Sequence, residues 1–192
     1  MMEASTTWNN RVCIMGIDPG STTLGVGVIT INTETDAIVS TEAFTLHADK
    51  ISGYTGLEES HGDRIRRLAV LTDTLEDVFF RYNPVMIGSE SPFYNRFRPN
   101  AYGVLVETIG AIRAAAMRYS STIVPRMIDP PTVKNALGAK GNAKKEAVQA
   151  ALLKLEGMQP VIPFTELDEH SVDAIGVAYA CYKRYLEDSN HV

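Results

Sequence analysis

The chain is poor in cysteine, with 2 in 192 residues, and poorer still in tryptophan, with 1. Cys13 and Cys181 lie inside apolar stretches, and neither has a Cys or His partner at zinc-ligand spacing. That excludes a zinc ribbon and a disulfide-stapled scaffold, and the two read as buried thiols in a reducing compartment. Long hydrophobic runs are missing as well: none approaches the ~20 residues needed to cross a bilayer, so no membrane contact is expected. The amino-terminal stretch MMEASTTWNNR lacks the basic lead and apolar centre of a secretory leader, and a cytoplasmic location is expected. Neither an internal repeat nor a low-complexity linker is present. No Ser/His/Asp or Cys/His arrangement suggests covalent catalysis.

What is there suits one globular domain. Hydrophobic residues make up 45% and charged residues 21% of the chain, proportions that argue against disorder. At this length about 70% of the unfolded surface can be buried. We expect a flexible leader over 1–10, one domain over 11–187 and a tail over 188–192. The net charge of −5 conceals an uneven distribution. Residues 1–92 carry 6 basic and 13 acidic side chains, whereas residues 93–145 carry 9 basic and 2 acidic ones, a local excess of +7. A basic block of this kind is what a polyphosphate partner requires, because each phosphate contact releases a condensed counterion. Solvated helix faces would leave the same trace.

Arg11–Ile17 (RVCIMGI) is an apolar run closed by Asp18-Pro19-Gly20, a strand that ends at an aspartate. Leu24–Ile31 reads as a second strand, with glycines where backbone or ligand comes close. Ala37–Thr45 completes an antiparallel meander, and the polar segment His47–His61 reads as a loop. Arg64–Phe80 has helical spacing of apolar residues. Pro84–Ile87 is a short buried strand that runs out at Gly88-Ser89-Glu90. Ala101–Ser120 is a helix rich in small residues and Thr122–Ile128 a fifth strand. Three more helices follow, over 130–137, 144–155 and 169–186. This succession predicts an α/β domain with a five-stranded mixed sheet flanked by helices on both faces.

Two of the strands end in a carboxylate, Asp18 and Glu90. As parallel neighbours they would share one sheet edge, where open α/β sheets place their ligands. The last helix adds His170 and Asp173, three residues apart and so on one face. An acid turned toward an edge that already holds two acids is costly without a counter-charge. A divalent cation supplies one. Carboxylate oxygens select Mg²⁺ or Mn²⁺, and a single imidazole is tolerated, more readily by Mn²⁺. Each residue alone has a plainer reading: a turn at Asp18, a loop cap at Glu90, and first-turn residues favoured by the helix dipole at His170 and Asp173.

Taken together, these blocks resemble the RuvC family of Holliday-junction resolvases in the RNase H-like superfamily. The resemblance runs from about Val12 to Tyr185 and rests on four motifs in order. GIDPGSTTLGVGVI (Gly16–Ile29) places Asp18 at the first metal-binding acid, and Glu90-Ser91-Pro92-Phe93 is similar to the family's Glu-x-x-Phe. PTVKNALGAKGNAKKEAVQ (Pro131–Gln149) carries Lys134 and Lys145 at its two lysine positions. HSVDAIGVAYA (His170–Ala180) is similar to the helix that brings the last two ligands. Many members have Asp-x-x-Asp there; this chain has His170-x-x-Asp173, a variation that occurs within the family. Asp168 is a substitute ligand should His170 point away.

The resemblance implies a homodimer, joined through the helix at 101–120, that binds a four-way DNA junction and nicks two opposing strands. Asp18, Glu90, His170 and Asp173 would be the catalytic metal ligands, holding Mg²⁺, with Mn²⁺ as a substitute. Two ions about 3.5–4 Å apart can clamp one phosphodiester. Phosphodiester hydrolysis needs an acceleration of order 10¹⁷, about 23 kcal/mol, which charge stabilisation by metal can reach. Phe93 would stack on a base at the junction centre. Arg96, Arg98, Lys134, Lys140, Lys144 and Lys145 would contact DNA phosphates. A branch-migration partner has no short signature and stays undetermined. Three alternatives remain: an RNase H-like nuclease for flaps, forks or RNA–DNA hybrids; a catalytically silent junction binder; and an actin-like ATPase, for which the chain is too short.

Overall fold

The computed structural model describes residues 10–93, 96, 99–141, 143, 145–155, 157–158 and 161–189, with Pro99, Lys145 and Glu146 described as backbone only. Three antiparallel strands open the chain: β1 (Arg11–Asp18), β2 (Thr23–Asn32) and β3 (Ile38–His47). Two helices follow, α1 (Thr55–His61) and α2 (Asp63–Tyr82), then β4 (Pro84–Glu90) and α3 (Pro99–Tyr119). The remainder comprises β5 (Arg126–Ile128), α4 (Pro130–Ala136), α5 (Lys145–Leu152) and α6 (Glu169–Ser189). The strands form one sheet in the order β3-β2-β1-β4-β5, with β1, β4 and β5 parallel and β2 antiparallel to both neighbours. Alternate residues of β1 enter opposite cores. Ile14 joins Ile29, Val133, Leu152 and Ile175 on the α4–α6 side, while Met15 and Ile17 join Leu71, Leu75, Phe79 and Ile112 on the α2–α3 side. The expected sheet with helices on both faces is observed.

Two expectations are corrected. The segment His47–His61 is a loop only in its first half, because Thr55–His61 forms α1. None of the α1 residues is buried, so the segment has no apolar stripe from which a helix could be read. The fifth strand, expected over Thr122–Ile128, is confined to Arg126–Ile128. It follows a turn at Ser121 and Thr122, and Pro125, which cannot donate to a ladder, precedes its first residue.

Four glycines let α6 lie close to the sheet. Gly16 is paired with Gly27 on one side and Gly88 on the other, so these three make a row across β2, β1 and β4, and Gly25 lies two residues along β2. A Cβ on Gly16 would lie 2.1 Å from the Ala178 amide nitrogen, and one on Gly27 would lie 2.5 Å from that of Ile175. On Gly88 it would meet Cys181 Sγ at 2.2 Å, and on Gly25 the His170 carbonyl oxygen at 2.0 Å. The close neighbour is therefore the backbone of α6 along most of the row. Its amino-terminal end, bearing His170 and Asp173, is thereby carried to the sheet edge.

Candidate active site

The site is built where β1 and β4 end. Their parallel register sets Ile17 beside Ser89, so Asp18 and Glu90 leave adjacent strands at one level. The turn after Asp18 is held from two directions. Arg67 of α2 donates from Nε to the Ser21 carbonyl at 3.1 Å, and the Ala48 amide donates to the Thr22 carbonyl at 2.8 Å. Arg67 is itself ion-paired to Asp63. Asp18 is largely buried, its side chain 16% exposed, and its Oδ2 lies 2.7 Å from His170 Nδ1. The other ring nitrogen, Nε2, is 3.1 Å from Thr23 Oγ1. An imidazole is thus gripped between a carboxylate and a hydroxyl.

Glu90 and Asp173 line an adjoining cavity of about 640 Å³, together with Phe93, Asp129, Lys134 and an apolar wall of Pro130, Pro131, Val133 and Val148. Lys134 reaches this cavity and donates from Nζ to the Ala143 carbonyl at 2.9 Å. Phe93 is 59% exposed, its ring available to a flat ligand. Lys140 lies elsewhere, on a separate groove with Lys154 and Leu137. Arg96 is exposed in the turn before α3. Arg98 and Lys144 lie outside the described residues, as does the side chain of Lys145. Of the four expected ligands, Asp18 meets His170, while Glu90 and Asp173 line the cavity. Among the described residues, no three His, Cys, Asp or Glu side chains are grouped closely enough to hold a metal ion.

His170 does not point away, and Asp168 has a different task. Its Oδ1 accepts the Thr45 hydroxyl at 2.6 Å and the Ser171 amide at 2.8 Å, capping α6 and tying it to β3. Burial alone would raise this carboxyl; the hydrogen bonds from Thr45 and Ser171 outweigh it and hold Asp168 below the usual carboxylate range. A third strand-end acid escaped the sequence reading. Asp129 follows β5, accepts the Thr132 hydroxyl and amide, and is held below its ordinary pKa by them. The signal was Asp129-Pro130-Pro131, the same acid-before-proline pattern as Asp18-Pro19.

The family model described as crossover junction endodeoxyribonuclease RuvC matches residues 14–180. The chain belongs to the RuvC family. A RuvC of Rickettsia akari is 31% identical over 171 residues, covering 88% of this chain and 96% of that protein. A RuvC of Thermus thermophilus is 28% identical over 173 residues, covering 89% and 95%. In structure, the Thermus thermophilus RuvC superposes with a TM-score of 0.67 at 23% identity, over 92% of this chain and 97% of the other. A second structure, of that RuvC in complex with a Holliday junction substrate, gives 0.66 at 19% identity. The fold is thus the RNase H-like fold of RuvC. Family membership implies dependence on a divalent metal, and the donor set fits one. Asp18, Glu90 and Asp173 offer hard carboxylate oxygens at one sheet edge, with one imidazole beside them. No helix of the described residues is long and apolar enough to cross a membrane.

Proposed function

We propose that this chain is a structure-selective DNA endonuclease that resolves four-way junctions by paired hydrolysis of phosphodiesters in opposing strands. The observation that carries the reading is the Asp18–His170 contact at the edge that Glu90 shares, beside an open cavity lined by Glu90, Asp173 and Lys134. Asp18, Glu90 and Asp173, with His170, would hold Mg²⁺ or Mn²⁺, two ions per site. Held by these residues, such ions would supply charge to polarise the scissile phosphate and to ease ionisation of the attacking water. His170 Nδ1 faces Asp18 Oδ2 across 2.7 Å, so the imidazole stands where it would serve as a metal ligand or as a proton shuttle at the nucleophile. Lys134 Nζ adds positive charge on the cavity wall, where phosphate oxygens gain negative charge in the transition state. Phe93 stacks on a base unpaired at the junction centre. Arg96, Arg98, Lys140, Lys144 and Lys145 follow the flanking backbone.

Two cuts in opposing strands need two sites, and the described chain has one candidate site; a homodimer through α3 supplies the second. Gly103 and Gly110 support this, since a Cβ on either meets nothing within 4 Å, and Val106 and Met117 are exposed on the same helix. We read 11–187 as a single nuclease domain. Two free, buried cysteines support a reducing, cytoplasmic setting. The test offers the purified chain a mobile four-way junction, a fork, a flap, an RNA–DNA hybrid and linear duplex, each with Mg²⁺ or Mn²⁺. Symmetric paired nicks confined to the four-way junction are expected. Equal cutting of forks or hybrids would make it a general branch or hybrid nuclease, and tight junction binding without cleavage a silent binder.

A further inference from the structure

The sequence motifs single out Asp18 and His170, but not the hydroxyl that completes their contact. His170 has both ring nitrogens engaged: Nδ1 faces Asp18 Oδ2 at 2.7 Å and Nε2 faces Thr23 Oγ1 at 3.1 Å. Both ends of this grip are fixed by backbone. Thr23 opens β2 in register with His47 of β3, and its carbonyl lies 2.0 Å from where a Gly20 Cβ would be. The His170 carbonyl lies equally close to the missing Cβ of Gly25. The ring therefore cannot turn without breaking one contact or the other. A hydroxyl both donates and accepts. When Nδ1–H donates to Asp18, Nε2 accepts from Thr23; when Nδ1 instead turns its lone pair to a cation held beside Asp18, Nε2–H donates to the same Thr23 oxygen. A metal-ligating histidine characteristically gives its second nitrogen to such a partner, which fixes ring and tautomer. We infer that Thr23 is a positioning residue that acts through His170, keeping Nδ1 turned toward the Asp18 edge whether it donates to the carboxylate or ligates a cation there.

The effect on cleavage rests on the nuclease reading; the effect on metal affinity does not. The test compares the full chain with T23V and T23A, which remove the hydroxyl, and T23S, which keeps it. Calorimetric titration with MnCl₂ reads metal affinity, thermal unfolding reads the fold, and four-way-junction cleavage is separated into kcat and KM. T23V is expected to weaken Mn²⁺ binding and lower kcat by about 10- to 100-fold, the usual size of such partner losses. KM and the unfolding midpoint should hold, and T23S should restore both losses. If T23V fails to fold, T23A gives the same reading without the added methyl. The inference is overturned if the unsubstituted chain binds no Mn²⁺, if T23V and T23A bind it as well as the unsubstituted chain, or if T23S is as impaired as T23V. A chain that binds Mn²⁺ through Thr23 yet cuts no branched DNA would sink the nuclease reading alone.

Discussion

Asp18 joins the two halves of the site: it ends β1 beside Glu90 and touches the one imidazole that α6 brings to the edge. Replacing it with asparagine keeps the shape and removes the charge proposed to hold a cation. Asp18→Asn should therefore abolish strand cleavage while four-way-junction binding in EDTA, read by gel shift, stays measurable. Cleavage persisting in that variant would remove Asp18 from the chemistry. The cysteines allow a prediction of the opposite kind. Burial pushes the Cys13 thiol up to about 12, helped by the Glu42 charge, and burial does the same for Cys181. Such thiols stay protonated and inert at pH 8. Iodoacetamide should modify neither in the native protein and both in urea, with the count read by mass spectrometry. The fold favours the protonated thiol, so this contribution is complete below the unfolded-state value of 9.0 and is lost as pH rises through about 12. Between pH 8 and 10.5 the urea midpoint should fall less steeply in a Cys13→Ala/Cys181→Ala chain than in the unsubstituted one.

The decisive element is α6, and the glycine row beneath it sets its depth. Gly16→Ala would put a methyl group 2.1 Å from the Ala178 amide nitrogen, which only a shift of the helix can relieve. Overpacking of this kind costs about 1–3 kcal/mol. It should also displace His170 and Asp173, so cleavage should fall further than the folded fraction does. Gly56→Ala in α1 is the control, because its Cβ meets nothing within 4 Å and alanine suits a helix better than glycine does. Urea unfolding together with cleavage by fully folded samples separates the two effects. The strands and their terminal acids were legible because apolar runs stopping at Asp18 and Glu90 are local signals. His170-x-x-Asp173 was legible through helical spacing. The glycines of β2 were flagged as points of close approach, but what approaches them, a helix far later in the chain, is not a local property. Thr23, Thr45 and Arg67 stayed invisible for the same reason, since their partners are 147, 123 and 46 residues away. Helix α1 was missed because it buries nothing.

For the whole molecule, symmetry is the governing consideration. A four-way junction presents two equivalent scissile strands, and two identical subunits related by a closed two-fold axis present two equivalent sites. The surface proposed for such a contact is one face of α3. Gly103, Val106, Gly110 and Met117 recur at helical spacing and are all exposed, while Ile109, Ile112, Ala115 and Ala116 point into the core. Small residues at Gly103 and Gly110 let a second helix approach closely, and Val106 and Met117 supply apolar area, 45% and 70% exposed, for it to cover. Gly110→Arg tests this face without touching the core, because a Cβ there meets nothing within 4 Å and arginine is a better helix former than glycine. Its unfolding midpoint at low micromolar concentration should fall only by the share that dimerisation contributes, and should lose its dependence on protein concentration. Sedimentation velocity should show dimers for the unsubstituted chain and monomers for the variant. Each monomer would retain an intact Asp18–His170 pair and nick one strand, so the product of the first cut should accumulate in place of paired nicks. A variant that sediments as a dimer and still cuts both strands together would move the interface off α3.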